Sequence, residues 1–263
     1  MNIVFIGDIF GRPGREAMRR AMPEIRRRHE PDFVIANGEN SAGGKGINAD
    51  IVQELLGLGV DCITGGNHSF HVRGSEAVHD EEPRLLRPAN FPPGTPGRGM
   101  GIYTSDAGFP VAVINACGRT FMQQYDDPWR LLTGLVEQAR RQTPLVVVDF
   151  HAEASSEKVA MGWHLDGLAT AVLGTHTHVQ TADERVLPGG TAHISDAGMT
   201  GPHDGVIGAD RERVLEAMLT LRPHRLDVAP GEDSRVCGVV VEADPLTGKA
   251  RRIERLRVDV ARA

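Results

Sequence analysis

Cysteine is scarce in this chain, three among 263 residues. Cys62, Cys117 and Cys237 lie too far apart for a C-x-x-C element and cannot all pair, which favours a reduced, intracellular protein. Long apolar runs are missing too, and no stretch approaches the ~20 residues needed to span a membrane. From Met1 the chain enters a short apolar strand and meets a charge at Asp8, which leaves no room for a signal-peptide core. The expected location is therefore the cytoplasm. Positive charge is not in excess: the formal net charge is -6, with 24% charged and 40% hydrophobic residues. Nonspecific binding of a nucleic-acid polymer needs a basic stripe, and this balance disfavours it. The densest basic run, Arg26 to Arg28, falls on a predicted helix and reads as a solvated face.

Nucleotide-loop signatures are also lacking, although two stretches imitate them. GDIFGRPG has glycines at 7, 11 and 14, which do not fit G-x-G-x-x-G. GENSAGGKG puts one residue too many between Gly38 and Gly44 for a P-loop, and Gly46 stands where Ser or Thr should meet magnesium. Lys45 reads as an exposed lysine, with an anion contact as the second reading.

What is present is an alternation of β-branched runs and helical patterns. Strands are predicted at 2–7, 32–36 and 60–64, with helices at 14–29 and 49–58, a rhythm of parallel strands with right-handed crossovers. RPANFPPGTPGRGMG, about 84–100, reads as a surface loop, either a lid or an inert excursion. Beyond it, strands are predicted at 100–104, 109–115, 144–150, 168–174, 183–187, 191–195, 235–242 and 251–258. Helices are predicted near 128–141, from 155 and at 209–221. The turn ADPLTGKA at 243–250 reads as a hairpin. The expected fold class is α/β, two mixed β-sheets packed face to face with helices outside, in a single domain spanning 1–263.

Metal-binding side chains recur where predicted strands end: Asp8, Glu39 with Asn40, Asn67 with His68, His151, and His176 with His178. In open α/β sheets, ligands bind beyond the carboxyl ends of the strands, so these distant residues can meet at one edge. In an extended Gly174-Thr175-His176-Thr177-His178 the two histidines point the same way. That many donors exceed one tetrahedral zinc. They suit two ions bridged by a carboxylate, roughly 3.5–4 Å apart, which clamp a phosphoryl oxygen and acidify water. Mixed carboxylate, amide and imidazole donors fit manganese, iron or zinc better than copper.

GDIF, GEN, GGNHSF, DFH and GTHTH occur in that order, and the chain resembles the calcineurin-like metallophosphoesterases, whose pattern is D-x-H, G-D, G-N-H-[DE], a lone His and G-H-x-H. Phe10 stands at the histidine of D-x-H, Glu39 at the bridging Asp and Ser69 at the acidic position after N-H. With GDIFGRPGR, NGENSAGGKGI, DFHAEASSEK and DAGMTGPHDGVIG, these departures are similar to one subfamily, the YmdB-like bacterial phosphodiesterases, over nearly the whole chain. The resemblance implies a four-layer αββα metallophosphoesterase-like sandwich, a homo-oligomer, and hydrolysis of 2',3'- and 3',5'-cyclic nucleotides by hydroxide generated at a dinuclear centre. It implies iron or manganese first, with zinc or magnesium as alternatives. Asp8 and His178 would bind the first ion with Asn40 completing it, Glu39 would bridge, and Asn67, His151 and His176 would complete the second. His68 matches the superfamily's proton donor.

The remaining histidines read as follows. His29, His79 and His224 are expected on the solvated surface, and His71 and His164 in structural roles, with a place near the site as the second reading. His193 and Asp196 precede the turn GMTGPHDG, and His203 within it is an even choice between substrate contact and packing. Glu153, Ser155, Ser156 and Glu157 fit a capped helix start as well as they fit a site. Rival functions are a phosphomonoesterase or nucleotidase on the same scaffold, a non-catalytic metal-binding regulatory protein, and an RNA-binding protein, the last lacking its basic face. No substrate-binding residue is assigned.

Overall fold

A computed structural model of the protein describes residues 1–225 and 227–261; the expected domain end at 263 lies outside the described residues. The chain runs β1 Asn2–Ile6, α1 Gly11–His29, β2 Phe33–Asn37, α2 Ala49–Gly57, β3 Cys62–Thr64, α3 Ser75–Glu81, β4 Met100–Thr104, β5 Pro110–Cys117 and α4 Pro128–Arg140. It continues through β6 Val146–His151, α5 Ser155–His164, β7 Ala171–Thr175, β8 Arg185–Val186, β9 Ala192–Ile194, β10 Gly201–Pro202, α6 Arg211–Thr220, β11 Asp233–Ala243 and β12 Ala250–Ala261. The elements expected from the sequence form within a few residues of their predicted bounds. The short α3 and β10 are additions, because neither carries a periodic apolar signal.

The strands form two mixed sheets. In one the order is β10-β11-β1-β2-β3, with β12 also on β11; in the other it is β4-β5-β6-β7-β9-β8. β1, β2 and β3 are parallel, and so are β5, β6, β7 and β9. β11 and β12 form the antiparallel hairpin that ADPLTGKA predicts.

Alternation along each strand builds the layers, because successive side chains point to opposite faces. Ile3, Phe5, Phe33 and Ile35 face Val111, Val113, Val147, Leu173 and Ile194, filling the space between the sheets. Val4, Ile6, Val34 and Ala36 face outward onto Met18, Met22 and Ile25 of α1 and Leu55 of α2. On the far side, Ile114, Val148 and Phe150 meet Leu132 and Val136 of α4 and Met161 of α5. Strands buried on both faces need continuous apolar runs, and these have them. The result is the four-layer αββα sandwich. No described helix is long and apolar enough to cross a membrane, and all three cysteines are free and buried.

The surface expectation fails for three histidines. His79 is fully buried, its Nδ1 bonded to the Ser75 carbonyl at 2.9 Å and its ring against Phe70, while the side chains of His29 and His224 are only 11% and 15% exposed. Polar sequence neighbours hide these contacts: His29 meets the distant Glu254, whereas His79 and His224 are covered by residues four to nine positions away that the sequence does not mark as partners. The proline-rich stretch is a surface loop as expected, with Pro92, Pro93, Gly94 and Arg98 exposed, but it is anchored at its start. Leu85 and Leu86 are buried, Asn90 ties both its amide groups to Cys117, and Phe91 stacks on Tyr125.

Candidate active site

The carboxyl ends of β1, β2 and β3 in one sheet and of β6 and β7 in the other reach the same edge. A hydrogen-bonded brace fixes the two sheets there. Asp149 on β6 accepts bonds from Asn37 Nδ2 at 2.9 Å and Thr64 Oγ1 at 2.5 Å, both from the opposite sheet, and from Thr175 Oγ1 at 2.7 Å. This places the loops carrying Asp8, Glu39, Asn67 and His176 around His151.

His151 Nε2 lies 3.1 Å from Glu39 Oε1, 2.9 Å from Asn67 Oδ1 and 3.0 Å from His176 Nδ1. On the other side of Glu39, Asn40 Nδ2 lies 3.0 Å from Glu39 Oε1 and 3.2 Å from His178 Nε2. Asp8 Oδ1 stands 3.8 Å from His178 Nε2 and 3.9 Å from His151 Nδ1. All seven predicted ligands are thus brought together. Gly66 permits the approach: a Cβ there would collide with Glu39 Oε2 and fall 2.5 Å from His151 Nε2.

Each imidazole is oriented by a bond on its outer nitrogen, which leaves the inner one free to face the cluster. Thr175 donates its hydroxyl to Asp149 and so receives the Nδ1–H of His151 at 2.9 Å. His178 gives Nδ1–H to the Ile207 carbonyl at 2.9 Å. His176 pairs through Nε2 with Glu153 at 3.0 Å. The histidine segment is not the extended one expected: His176 has φ 97° and His178 φ 66°, conformations that cost side-chain-bearing residues roughly 1–3 kcal/mol each. Backbone bonds hold them, His176 N to Asp8 at 3.2 Å and Thr177 N to Asp196 at 3.0 Å. Asp196 is in turn paired with the buried Lys158 at 2.8 Å.

The charges are strongly coupled. Burial opposes ionisation of Glu39, but the charge and hydrogen bond of His151, with help from His68, win and hold it down at about 2. Burial likewise opposes a charged His151, yet Glu39 and Asp8 raise it to about 9. Asp8 is raised by its burial, against the pull of His178 and His151. Burial and then the His151 charge push His176 down to about 3. For His68, burial, His71 and Lys45 outweigh the attraction of Glu39 and lower it to about 4. Near neutral pH, then, a proton on His151 neutralises part of a cluster that otherwise offers two carboxylates.

That arrangement fits metal ions. Asp8 Oδ1 is buried with no hydrogen-bond partner, a costly state unless a cation meets it. Glu39, His151 and His176 offer donor atoms within 4.8 Å of one another, and the amide oxygen of Asn67 points at the same place.

His68 sits beside this group, its backbone N–H on Glu39 Oε2 at 2.9 Å, its Nε2 3.3 Å from Asn67 Nδ2 and its Nδ1 buried without a partner. His71 packs edge-on against it with ring centroids 4.5 Å apart. His164 is elsewhere, bonded to Thr133, and His203 bonds the Met199 carbonyl. His193 is buried on the Val172 carbonyl. Glu153 belongs with the site and not with a helix cap, and Glu157 accepts bonds from Arg119 and Thr120. Asp149, Thr175 and Lys158 brace this cluster through hydrogen bonds and an ion pair, and sequence reasoning misses them, the only hint being that Asp149 and Lys158 are charges inside or beside an apolar run.

Residues 4–256 match the model of a family described as YmdB-like protein. A 2',3'-cyclic-nucleotide 2'-phosphodiesterase of Bacillus subtilis (strain 168) is 48% identical over 259 residues, 98% of this chain and 97% of that protein. The crystal structure of a hypothetical protein from Thermus thermophilus superposes with a TM-score of 0.92 at 39% identity, covering 98% of this chain and 99% of that one. That of a novel phosphatase from Mycoplasma pneumoniae gives 0.92 at 31%, covering 98% and 93%. With the same motifs gathered at one sheet edge and a family match along nearly its full length, this chain belongs to the YmdB-like family.

Proposed function

We propose that the protein is a metal-dependent phosphodiesterase hydrolysing 2',3'- or 3',5'-cyclic nucleotides. The observation that carries this reading is the convergence of Glu39, Asn67 and His176 on His151 Nε2, beside a buried Asp8 oxygen that lacks a partner. The relative of B. subtilis, named for 2',3'-cyclic-nucleotide hydrolysis, supports the substrate class.

In this reading Asp8 and His178, with Asn40 once its amide oxygen is turned inward, would hold one ion, Asn67, His151 and His176 would hold another, and Glu39 would contribute to both. Bound there, the ions, iron or manganese before zinc or magnesium, would polarise a phosphoryl oxygen and lower the pKa of water. The protein's own part is orientation and proton transfer. Glu153, Thr175 and the Ile207 carbonyl keep the three imidazoles facing inward. His68 protonates the departing ribose oxygen. An arriving phosphodiester anion favours its imidazolium form, which burial disfavours in the free chain. Replacing His68 with Ala should slow cyclic-nucleotide hydrolysis far more than that of a p-nitrophenyl ester, whose leaving group needs no proton; equal losses would refute the role. The chain works in this reading as one domain in a cytoplasmic homo-oligomer, and the exposed Leu215, Leu219 and Leu221 are apolar surface that such an assembly would cover.

The test is hydrolysis of 2',3'-cyclic AMP and of AMP by protein loaded in turn with manganese, iron or zinc. Metal-dependent opening of the cyclic ester, lowered about 10³-fold in Asn67→Ala, is the expected result. Turnover of AMP alone would make it a phosphomonoesterase.

A further inference from the structure

The centre accounts for a phosphoryl group but for nothing else in a nucleotide. Two clefts adjoin His178. One, of about 390 Å³, is lined by Arg235, Arg255 and Arg257, but each is engaged by a carboxylate: Arg235 by Asp233 at 2.6 Å, Arg255 by Glu184 at 2.8 Å and Arg257 by Asp259 at 3.0 Å. The other, of about 600 Å³, has Phe10, Val206, Ile207, Val214 and Met218 along its walls, with Lys45 and Arg225 among its lining residues. Its size and its apolar walls with few polar groups suit a small organic ligand.

This second cleft is built onto the centre. The Phe10 ring lies edge-on to His178 with centroids 5.5 Å apart, and Ile207 supplies the carbonyl that orients His178. Gly44, which also lines it, bonds through its N–H to the carbonyl of Asn40 at 3.1 Å. Phe10 is slotted between two glycines in left-handed backbone: a Cβ on Gly44 would lie 3.0 Å from Phe10 Cζ, and one on Gly208 2.6 Å from Phe10 Cδ1. The residue that stands where the wider superfamily has a histidine is thus an aromatic surface held by glycines that leave it room.

We propose that this cleft receives the nucleobase of the substrate, with Phe10, Ile207 and Met218 against the ring system and Lys45 on the side of the phosphate. The proposal rests on the phosphodiesterase reading and specifies its substrate as a nucleoside ester, not a simple alkyl or aryl phosphodiester. Apolar walls suit the faces of a base, since stacking tolerates any base. The exposed Lys45 matches the anionic end.

The test compares 2',3'-cyclic AMP with bis(p-nitrophenyl) phosphate, which has no base, in wild type and in Met218→Asp, a change at a position 68% exposed. A carboxylate against the apolar wall should lower the ratio of the two kcat/KM values about tenfold, as loss of roughly one base contact implies. Adenosine, which carries no phosphorus, should inhibit hydrolysis of bis(p-nitrophenyl) phosphate competitively, and about tenfold less well in the variant. An unchanged ratio together with no inhibition by adenosine would overturn the proposal. So would a ratio that moves only with a change of molar mass in light scattering, which would assign the cleft to a second copy of the chain. If wild type cleaved neither ester, the phosphodiesterase reading would fail, and adenosine binding by calorimetry would still judge the cleft by itself.

Discussion

The two sides of the donor cluster are built to different tolerances. Around His151, three donors already stand within 3.1 Å of Nε2, and a tight Asp149–Thr175 brace fixes the ring. Around Asp8, the nearest imidazole nitrogen is 3.8 Å away, one carboxylate oxygen has no hydrogen-bond partner, and Phe10 stands in place of an imidazole. A cluster held by neighbours from both sheets is preorganised, whereas one that lacks a donor must draw on Asn40 and adjust. The lesson is that the His151 side should dominate affinity and the Asp8 side should tune it.

Substitutions can break that contrast. Asn67→Ala should lower turnover by about 10³-fold and Asn40→Ala by about tenfold less than that, the scale of losing one fixed donor at a charged transition state. Steady-state rates with metal content by elemental analysis would check it, and equal losses would remove the asymmetry. Next in size, Glu153→Gln leaves His176 its place but weakens the partner of its outer nitrogen, and metal affinity on that side should fall by about 10- to 100-fold. Competition with a chelator measures this, and an unchanged affinity would show that Glu153 is incidental.

The proton on His151 gives a pH test. Its folded pKa is raised to about 9 from an ordinary value of 6.5, so in metal-free protein its stabilising contribution is complete below pH 6.5 and is lost as pH rises through about 9. Glu39, depressed to about 2, contributes above 4.5 and loses its effect as pH falls through about 2. Asp149 is raised by burial from 3.8 to about 6; its penalty grows between those two values and is constant above. Melting temperatures of chelator-treated protein should therefore fall between about pH 7 and 9, and those of metal-loaded protein should fall less. Parallel curves would show that His151 holds no such proton. The smallest effect is expected from Asp8→Asn. Burial raises the Asp8 pKa, so its ionised form destabilises the metal-free fold, and the variant should melt slightly higher while binding metal more weakly. A lower melting temperature in metal-free Asp8→Asn would contradict this.

Much of this is legible in the sequence. Asp8, Glu39, Asn67, His151 and His176 each follow an apolar strand pattern closely, and strand period and sheet topology together send them to one edge. The supports are not legible. Lys158 and Asp196 carry no local sign that they pair, and only folding shows that they meet at 2.8 Å. Asp149 sits within LVVVDF without any local sign that Asn37 and Thr64 from the other sheet satisfy it. His79 escapes a sequence reading for the same reason, its burial being supplied by Phe70 and by the chain around Gly97.

The sequence by itself determined the elements, their alternation into layers, and which side chains reach the strand ends, because backbone periodicity and side-chain chemistry are local properties. Only the tertiary structure decided which nitrogen of each histidine faces the centre, where protons reside, and that Phe10 lines a cleft beside His178. Those outcomes depend on burial and on hydrogen bonds between residues as many as 168 positions apart, such as His176 and Asp8, and no local pattern encodes them.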